Sequence, residues 1–167
     1  MAAAVILPKD YEHPWLNDSK QLTKEQRLEL RTEIEKNALV WAVAEASNIE
    51  IDQINILKAS FLAMHRAVDQ ISGKIIPEHL LVDGNRFTPY PMIPHTCVIK
   101  GDGKYLSIAS ASILAKTYRD ELMEDLAQQY PRYKWHENAG YPTIFHRKAI
   151  LEYGYTPFHR MTFRVRV

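Results

Sequence analysis

The chain has 167 residues and a mass of 19.4 kDa, with 46% hydrophobic and 25% charged residues, which suits one globule with a packed core and excludes a disordered or fibrous chain. Its formal net charge is +1, and no run approaches the roughly 20 apolar residues of a membrane-spanning helix, so no membrane partner is expected. The single cysteine, Cys97, has no partner for an internal disulfide and leaves too little sulfur for a cysteine-rich zinc site, so a reducing cytoplasm is the expected compartment.

Residues 2–7 read as a short buried strand stopped by Pro8. Thr23-Lys24-Glu25-Gln26 has the pattern of a capping box and starts a helix to about residue 36, with Leu30 and Ile34 on one face. Residues 38–46 alternate larger and smaller apolar groups, with Leu39, Trp41 and Val43 on one side, and predict a strand. One longer helix follows, with Leu57, Phe61, Met64, Val68 and Ile71 as a continuous apolar stripe ending near Gly73.

Residues 79–82 predict a strand that delivers Asp83 to its C-terminal end, just before the turn residues Gly84-Asn85. A strand at 95–99 and the turn Gly101-Asp102-Gly103-Lys104 lead to a helix that Ser107 can cap, running to about residue 129 with Ile108, Ala111, Ala115, Tyr118 and Leu122 on its buried side. A last helix over 143–153 is closed by Gly154 and Pro157. Strands and helices are mixed, and the class is α/β.

The small net charge hides an asymmetry. Residues 1–130 carry 14 Lys+Arg against 18 Asp+Glu, whereas residues 131–167 carry 7 against 2. Eight of the 17 aromatic residues lie in that basic tail, interleaved with its cations. Cations neutralise phosphates and aromatic faces stack on bases or sugars, so the mixture suggests nucleic acid. A small subdomain with its aromatics inside and its arginines solvated accounts for the same composition.

Several chemistries fail on spacing. Gly101-Asp102-Gly103-Lys104 is not a nucleotide phosphate loop, because Val98 and Tyr105 stand where glycine and a hydroxyl residue are needed. No histidine pair brackets a glutamate at zinc-hydrolase spacing, and no Gly-x-Ser-x-Gly elbow occurs. Asp83 at a strand end and Asp120 on a helix, following the small residues 109–112, remain. If they converge they need a cation between them, and their hard oxygens favour Mg²⁺ or Mn²⁺. By position alone, each reads as a turn or surface residue rather than a metal ligand.

Five or more ordered segments carry a resemblance. They are Leu16-Asn17-Asp18-Ser19-Lys20 with Leu22, Leu80-Leu81-Val82-Asp83-Gly84, Lys100-Gly101-Asp102-Gly103-Lys104, and the run from Ser107 through Ala115-Lys116-Thr117-Tyr118-Arg119-Asp120. Gly140-Tyr141-Pro142-Thr143 with His146, and His159-Arg160 with Phe163, complete the set. Together they resemble the type 2 ribonuclease H family, bacterial ribonuclease HII, over essentially the whole chain.

The resemblance implies an RNase H-like mixed sheet flanked by helices, with a small helical C-terminal part. It implies a monomeric endonuclease, dependent on Mn²⁺ or Mg²⁺, that cleaves the RNA strand of RNA–DNA hybrids and duplex DNA at embedded ribonucleotides. Asp83 and Asp120 match two of the family's four catalytic, metal-binding carboxylates. Tyr141 matches the tyrosine that packs on the sugar and helps sense the ribose 2′-OH. Ser19, Lys20, Lys100, Lys104, His159 and Arg160 are expected to contact substrate, the cations through phosphates. Residues 1–130 would be the catalytic domain and residues 131–167 a basic, aromatic substrate-binding segment of the same globule.

One departure stands out. The family's Asp-Glu-Ala-Gly-Arg-Gly motif, source of the other two carboxylates, precedes the strand that here follows Met1, and it does not occur in these residues. Asp120-Glu121 has the order but no Gly-Arg-Gly after it. The expectation is a native polypeptide that begins upstream and a sheet lacking its first central strand, with strands 2–7 and 80–83 facing each other across about 9–10 Å. Little or no cleavage is expected from the 167 residues alone. The alternatives are a catalytically dead hybrid-binding module and a mixed α/β domain with no nucleic-acid role.

Overall fold

The computed structural model describes residues 1–16 and 22–163, which form two compact units. The first comprises residues 1–45 and 60–117; the second comprises 46–59 and the chain from 118 onward.

In the first unit, β1 (Ala2–Ile6) pairs antiparallel with β2 (Val40–Ala44), Ala2 opposite Ala44 and Ile6 opposite Val40. β3 (Leu80–Asp83) pairs in parallel with β4 (His95–Val98), Leu80 opposite His95 and Asp83 opposite Val98. The pairs are separate two-stranded sheets, with no ladder joining β1 to β3, so the mixed sheet is present as two pieces. The parallel pair is connected by residues 84–94 without a helix. Tyr90 ties that crossover down by donating to Asp69 Oδ1 at 2.6 Å, and Phe87, Tyr90 and Ile93 pack on Val68, Leu80 and Val82.

α1 (Lys24–Asn37) begins at the expected capping box, Thr23 and Gln26 satisfying each other's backbone N–H groups, and buries Leu30 and Ile34. Two expected faces are corrected. β2 turns Val40, Ala42 and Ala44 inward, against Ile71 and Ala4, while Leu39 lies on the other face and is 58% exposed. Both faces of this strand are apolar, so alternation alone left the choice open.

The predicted helix is α3 (Ile56–Ser72), and a short α2 (Asn48–Ile54), which the apolar stripe does not reach, precedes it. Asn55 separates them: at φ 71° it ends α2, and its side chain accepts the Leu57 and Lys58 N–H groups to start α3. The deepest residues of α3 are Ala59, Ala63, Ala67, Val68 and Ile71, whereas Leu57 of the expected stripe is 45% exposed.

α4 (Leu106–Gln129) contributes its first half to one unit and its second half to the other. It starts before Ser107, which therefore lies inside it. It buries Ile108, Ala109, Ser110, Ile113, Leu114 and Thr117; of the expected stripe only Ile108 is deep, and Leu122 is exposed.

The second unit adds a 3-10 turn at Pro131–Tyr133, a short α5 (Trp135–Asn138) and α6 (Ile144–Tyr153). α6 is capped by Thr143 and closed by Gly154. The core here is Leu126, Ala127, Tyr133, Trp135, Ala149 and Ile150. The tail thus divides between its two readings, with Tyr133 and Trp135 inside and Tyr141, Phe145, Tyr153, Tyr155, Phe158 and Phe163 exposed.

Ala67 is completely buried and Leu57 is half in solvent. Ala67→Leu is expected to cost about 1–3 kcal/mol through overpacking, and Leu57→Ala about 0.5 kcal/mol or less. Urea denaturation of the two variants measures this, and equal costs would contradict the assigned face.

Candidate active site

β3 ends on Asp83, whose carboxylate is exposed. Its Oδ1 accepts the Gly101 N–H at 2.9 Å. Gly101 is buried, and a Cβ there would lie 2.6 Å from Ile108 Cδ1 and 3.3 Å from Asp83 Oδ1, so a side chain would push on the carboxylate or on the start of α4. Among the described residues nothing hydrogen-bonds the second oxygen of Asp83. Lys100, at φ 55°, and Lys104 flank the Gly101–Gly103 turn, both exposed, and neither forms an ion pair among the described residues. An oriented carboxylate with one open oxygen is a hard donor of the kind Mg²⁺ and Mn²⁺ accept. Among the described residues no group of three or more His, Cys, Asp or Glu is placed to hold a metal.

Asp120 lies on the second half of α4, half-buried. Its neighbour Arg119 donates to the Ala139 carbonyl at 2.7 Å and sits 5.2 Å from the centre of the Tyr141 ring, a cation–π contact. Tyr141 is 61% exposed at the end of a turn with Ala139 at φ 46° and Gly140 at φ 76°, a left-handed pair that glycine eases at its second position. Buried Asn138 fixes this turn. Its Nδ2 donates to the Tyr133 carbonyl, its Oδ1 accepts the Gly140 N–H and its carbonyl accepts the Tyr141 N–H, each at 2.8 Å.

His159, expected at the substrate surface, is buried instead, ringed by Tyr133, Trp135, His146 and Tyr155. Donor chemistry assigns the protons. The Thr156 N–H points at His159 Nδ1 (2.9 Å), so the His159 proton sits on Nε2 and is donated to His146 Nε2 (3.1 Å). His146 Nε2 also accepts from Trp135 Nε1 (3.3 Å), and its Nδ1–H is left to donate to the Tyr141 carbonyl (3.0 Å). Both rings are therefore neutral. Burial, followed by the like charge that a protonated His146 would place beside it, pushes the His159 pKa down to about 4.

Arg160 stacks 3.9 Å from the centre of the Phe163 ring. Burial lowers its pKa, with the Asp52 carboxylate opposing and the like charge of Arg119 adding to the fall. It stays cationic at neutral pH. Arg119 and Arg160 thus feel each other's charge in the same unit that presents Tyr141. Ser19 and Lys20 lie outside the described residues.

Four residues that hold this arrangement were not singled out for it in the sequence: Arg119, Asn48, Asp52 and His146. Asn48 and Asp52 are one turn apart on α2. Asn48 Nδ2 donates to the Pro157 and His159 carbonyls, and Asp52 accepts the Met161 and Thr162 N–H groups, anchoring the segment that carries Arg160. The signal available for α2 is the box Ser47-Asn48-Ile49-Glu50, which the structure forms in full.

The family model described as Ribonuclease HII matches residues 1–166. A ribonuclease HII of Bacteroides thetaiotaomicron is 68% identical over 164 residues, covering 98% of this chain and 81% of that protein. One from Parabacteroides distasonis is 65% identical over 162 residues, covering 97% and 80%. The solved ribonuclease H2 from Pyrococcus horikoshii OT3 superposes with a TM-score of 0.74 at 25% identity, over 90% of this chain and 77% of that one.

Because His159 is depressed from 6.5 to about 4 in the fold, the unfolded chain binds more protons in that interval. Its contribution to stability is full above pH 6.5 and is lost as pH falls toward 4. Proton NMR of the His159 ring should give a midpoint near 4, and a midpoint near 6.5 would contradict the buried neutral pair.

Proposed function

The chain belongs to the ribonuclease HII family, and from that premise we propose that it is an endoribonuclease cleaving the RNA strand of RNA–DNA hybrids and duplex DNA at embedded ribonucleotides. Family membership makes it a hydrolase of the ribonuclease H kind and implies a divalent metal. Asp83 and Asp120 are the two carboxylates we assign to that metal, Mn²⁺ or Mg²⁺. When bound, such ions lower the pKa of an attacking water and neutralise charge at phosphorus and on the leaving oxygen.

The chain's own residues bind and orient. Gly101 N–H holds one Asp83 oxygen, and the other has no hydrogen bond among the described residues. Lys100 and Lys104 supply charge on the same turn for backbone phosphates, Arg119 does so against the Tyr141 ring, and Arg160 does so in the same unit. The exposed Tyr141 ring offers a face for the sugar, and the segment 131–167 serves as the substrate-binding part. A cytoplasmic, monomeric enzyme is part of the proposal; among the described residues no helix is long and apolar enough to cross a membrane. The observation that carries the reading is the strand-end carboxylate pinned by a glycine N–H between two lysines.

A second reading, a hybrid-binding module without cleavage, draws on the absence from these residues of the family's Asp-Glu pair. The two are separated by assaying the 167 residues, with and without an added Asp-Glu-Ala-Gly-Arg-Gly segment, on a duplex bearing one ribonucleotide, with Mn²⁺, Mg²⁺ or chelator. The extended chain is expected to nick, the 167 residues alone to nick little or not at all, and Asp83→Asn to reduce cleavage about 100-fold or more. Salt-sensitive binding without cleavage by either chain would favour the module, and metal-dependent cleavage untouched by Asp83→Asn would contradict the assignment of Asp83.

A further inference from the structure

The second unit contains a polar chain that the proposed chemistry does not use. Thr156 N–H, His159, His146 and the Tyr141 carbonyl are linked in series through distances of 2.9, 3.1 and 3.0 Å, with Trp135 Nε1 as a side donor at 3.3 Å. Both histidines are buried. Each proton in the chain has one consistent place, and the chain ends at the backbone of the one exposed aromatic that the family resemblance assigns to the ribose.

We infer that His146 is a positioning residue for Tyr141: its Nδ1–H, made a donor by His159 on its far side, holds the Tyr141 carbonyl and so fixes the turn that presents the tyrosine ring for ribose recognition. The inference rests on the reading of Tyr141 as the ribose-sensing ring. Two further observations support it. Thr143, which caps α6, receives the His146 N–H at 3.2 Å and donates its own N–H to the same Tyr141 carbonyl at 2.8 Å, so α6 grips the turn at two points one helical turn apart. Ala139 and Gly140 both sit at positive φ, a conformation that persists only where surrounding contacts over-determine it. Arg119 holds the Ala139 carbonyl and lies against the Tyr141 ring, so the turn is fastened on its helix α4 side as well.

The two histidines also set each other. The Nε2···Nε2 contact has room for one proton, and a second would turn an attractive contact into a repulsive one while also bringing a proton to His159 Nδ1 against the Thr156 N–H. The groups facing the pair are Tyr133, Trp135, Tyr155 and Thr156, none of them charged. None of these neighbours carries a negative charge to hold a histidinium, so the work of the relay is geometric.

Three variants test this. His146→Leu removes the donor, His146→Asn keeps an N–H donor in nearly the same place, and Tyr141→Ala removes the ring. In the free chain, amide hydrogen exchange at Gly140, Tyr141 and Thr143 should speed up about tenfold in His146→Leu, the worth of one buried hydrogen bond, and return toward wild type in His146→Asn. In binding, the preference for a duplex with one ribonucleotide over an all-DNA duplex should fall about five- to tenfold in His146→Leu, with all-DNA affinity unchanged, and recover in His146→Asn. Combining His146→Leu with Tyr141→Ala should lower the preference no further than Tyr141→Ala alone. Unchanged exchange in a folded His146→Leu, equal loss on both duplexes, or additive losses in the double variant would each overturn the inference. A Tyr141→Ala variant that keeps the ribonucleotide preference while His146→Leu still loosens the turn would instead sink the reading of Tyr141, and with it the functional half of this one.

Discussion

The hydrogen bond from the Gly101 N–H to Asp83 Oδ1 fixes the geometry of the proposed metal site. It joins the end of β3 to the turn after β4 and to the start of α4, whose Ile108 leaves no space for a side chain at Gly101. The parallel β3–β4 pairing supplies the register that makes the contact possible, and the crossover held by Tyr90 to Asp69 keeps that register. A carboxylate oriented by a backbone donor is a charge-assisted contact, stronger than its neutral counterpart. It leaves the second oxygen without a hydrogen bond among the described residues.

The second unit solves a different problem, presenting an aromatic ring to solvent without letting it wander. Its means are buried and polar: Asn138, His146 and His159 take their hydrogen bonds inside an aromatic shell and spend them on backbone carbonyls and amides of the turn. The exposed Tyr141 ring is thereby left to meet a ligand, with the half-buried Arg119 against it. α2 performs the same service for the chain around Arg160 through Asn48 and Asp52.

Local signals were legible and tertiary choices were not. The capping box at Thr23, the last helix with its stop at Gly154 and the strand leading to Asp83 all formed where short-range chemistry put them. The inward faces of β2 and α4 did not, because those segments carry apolar residues on more than one side, whereas on α3 the expected stripe held at Met64, Val68 and Ile71 and failed at Leu57. α2 is too short to be read from periodicity, and its end is set by Asn55, a single polar side chain that both ends one helix and caps the next. Tyr141, Lys100 and Lys104 are exposed, as a surface role requires; His159 is not, and its motif position reports an internal relay.

The central claim is that Asp83 carries a divalent cation for cleavage of the RNA strand. The most direct measurement is NMR of the isotope-labelled chain with substoichiometric Mn²⁺, whose unpaired electrons broaden nearby signals. The Gly101 amide, which touches the Asp83 carboxylate, should be among the first to vanish, and Asp83→Asn should restore it. Broadening centred elsewhere, with the Gly101 signal intact, would contradict the account.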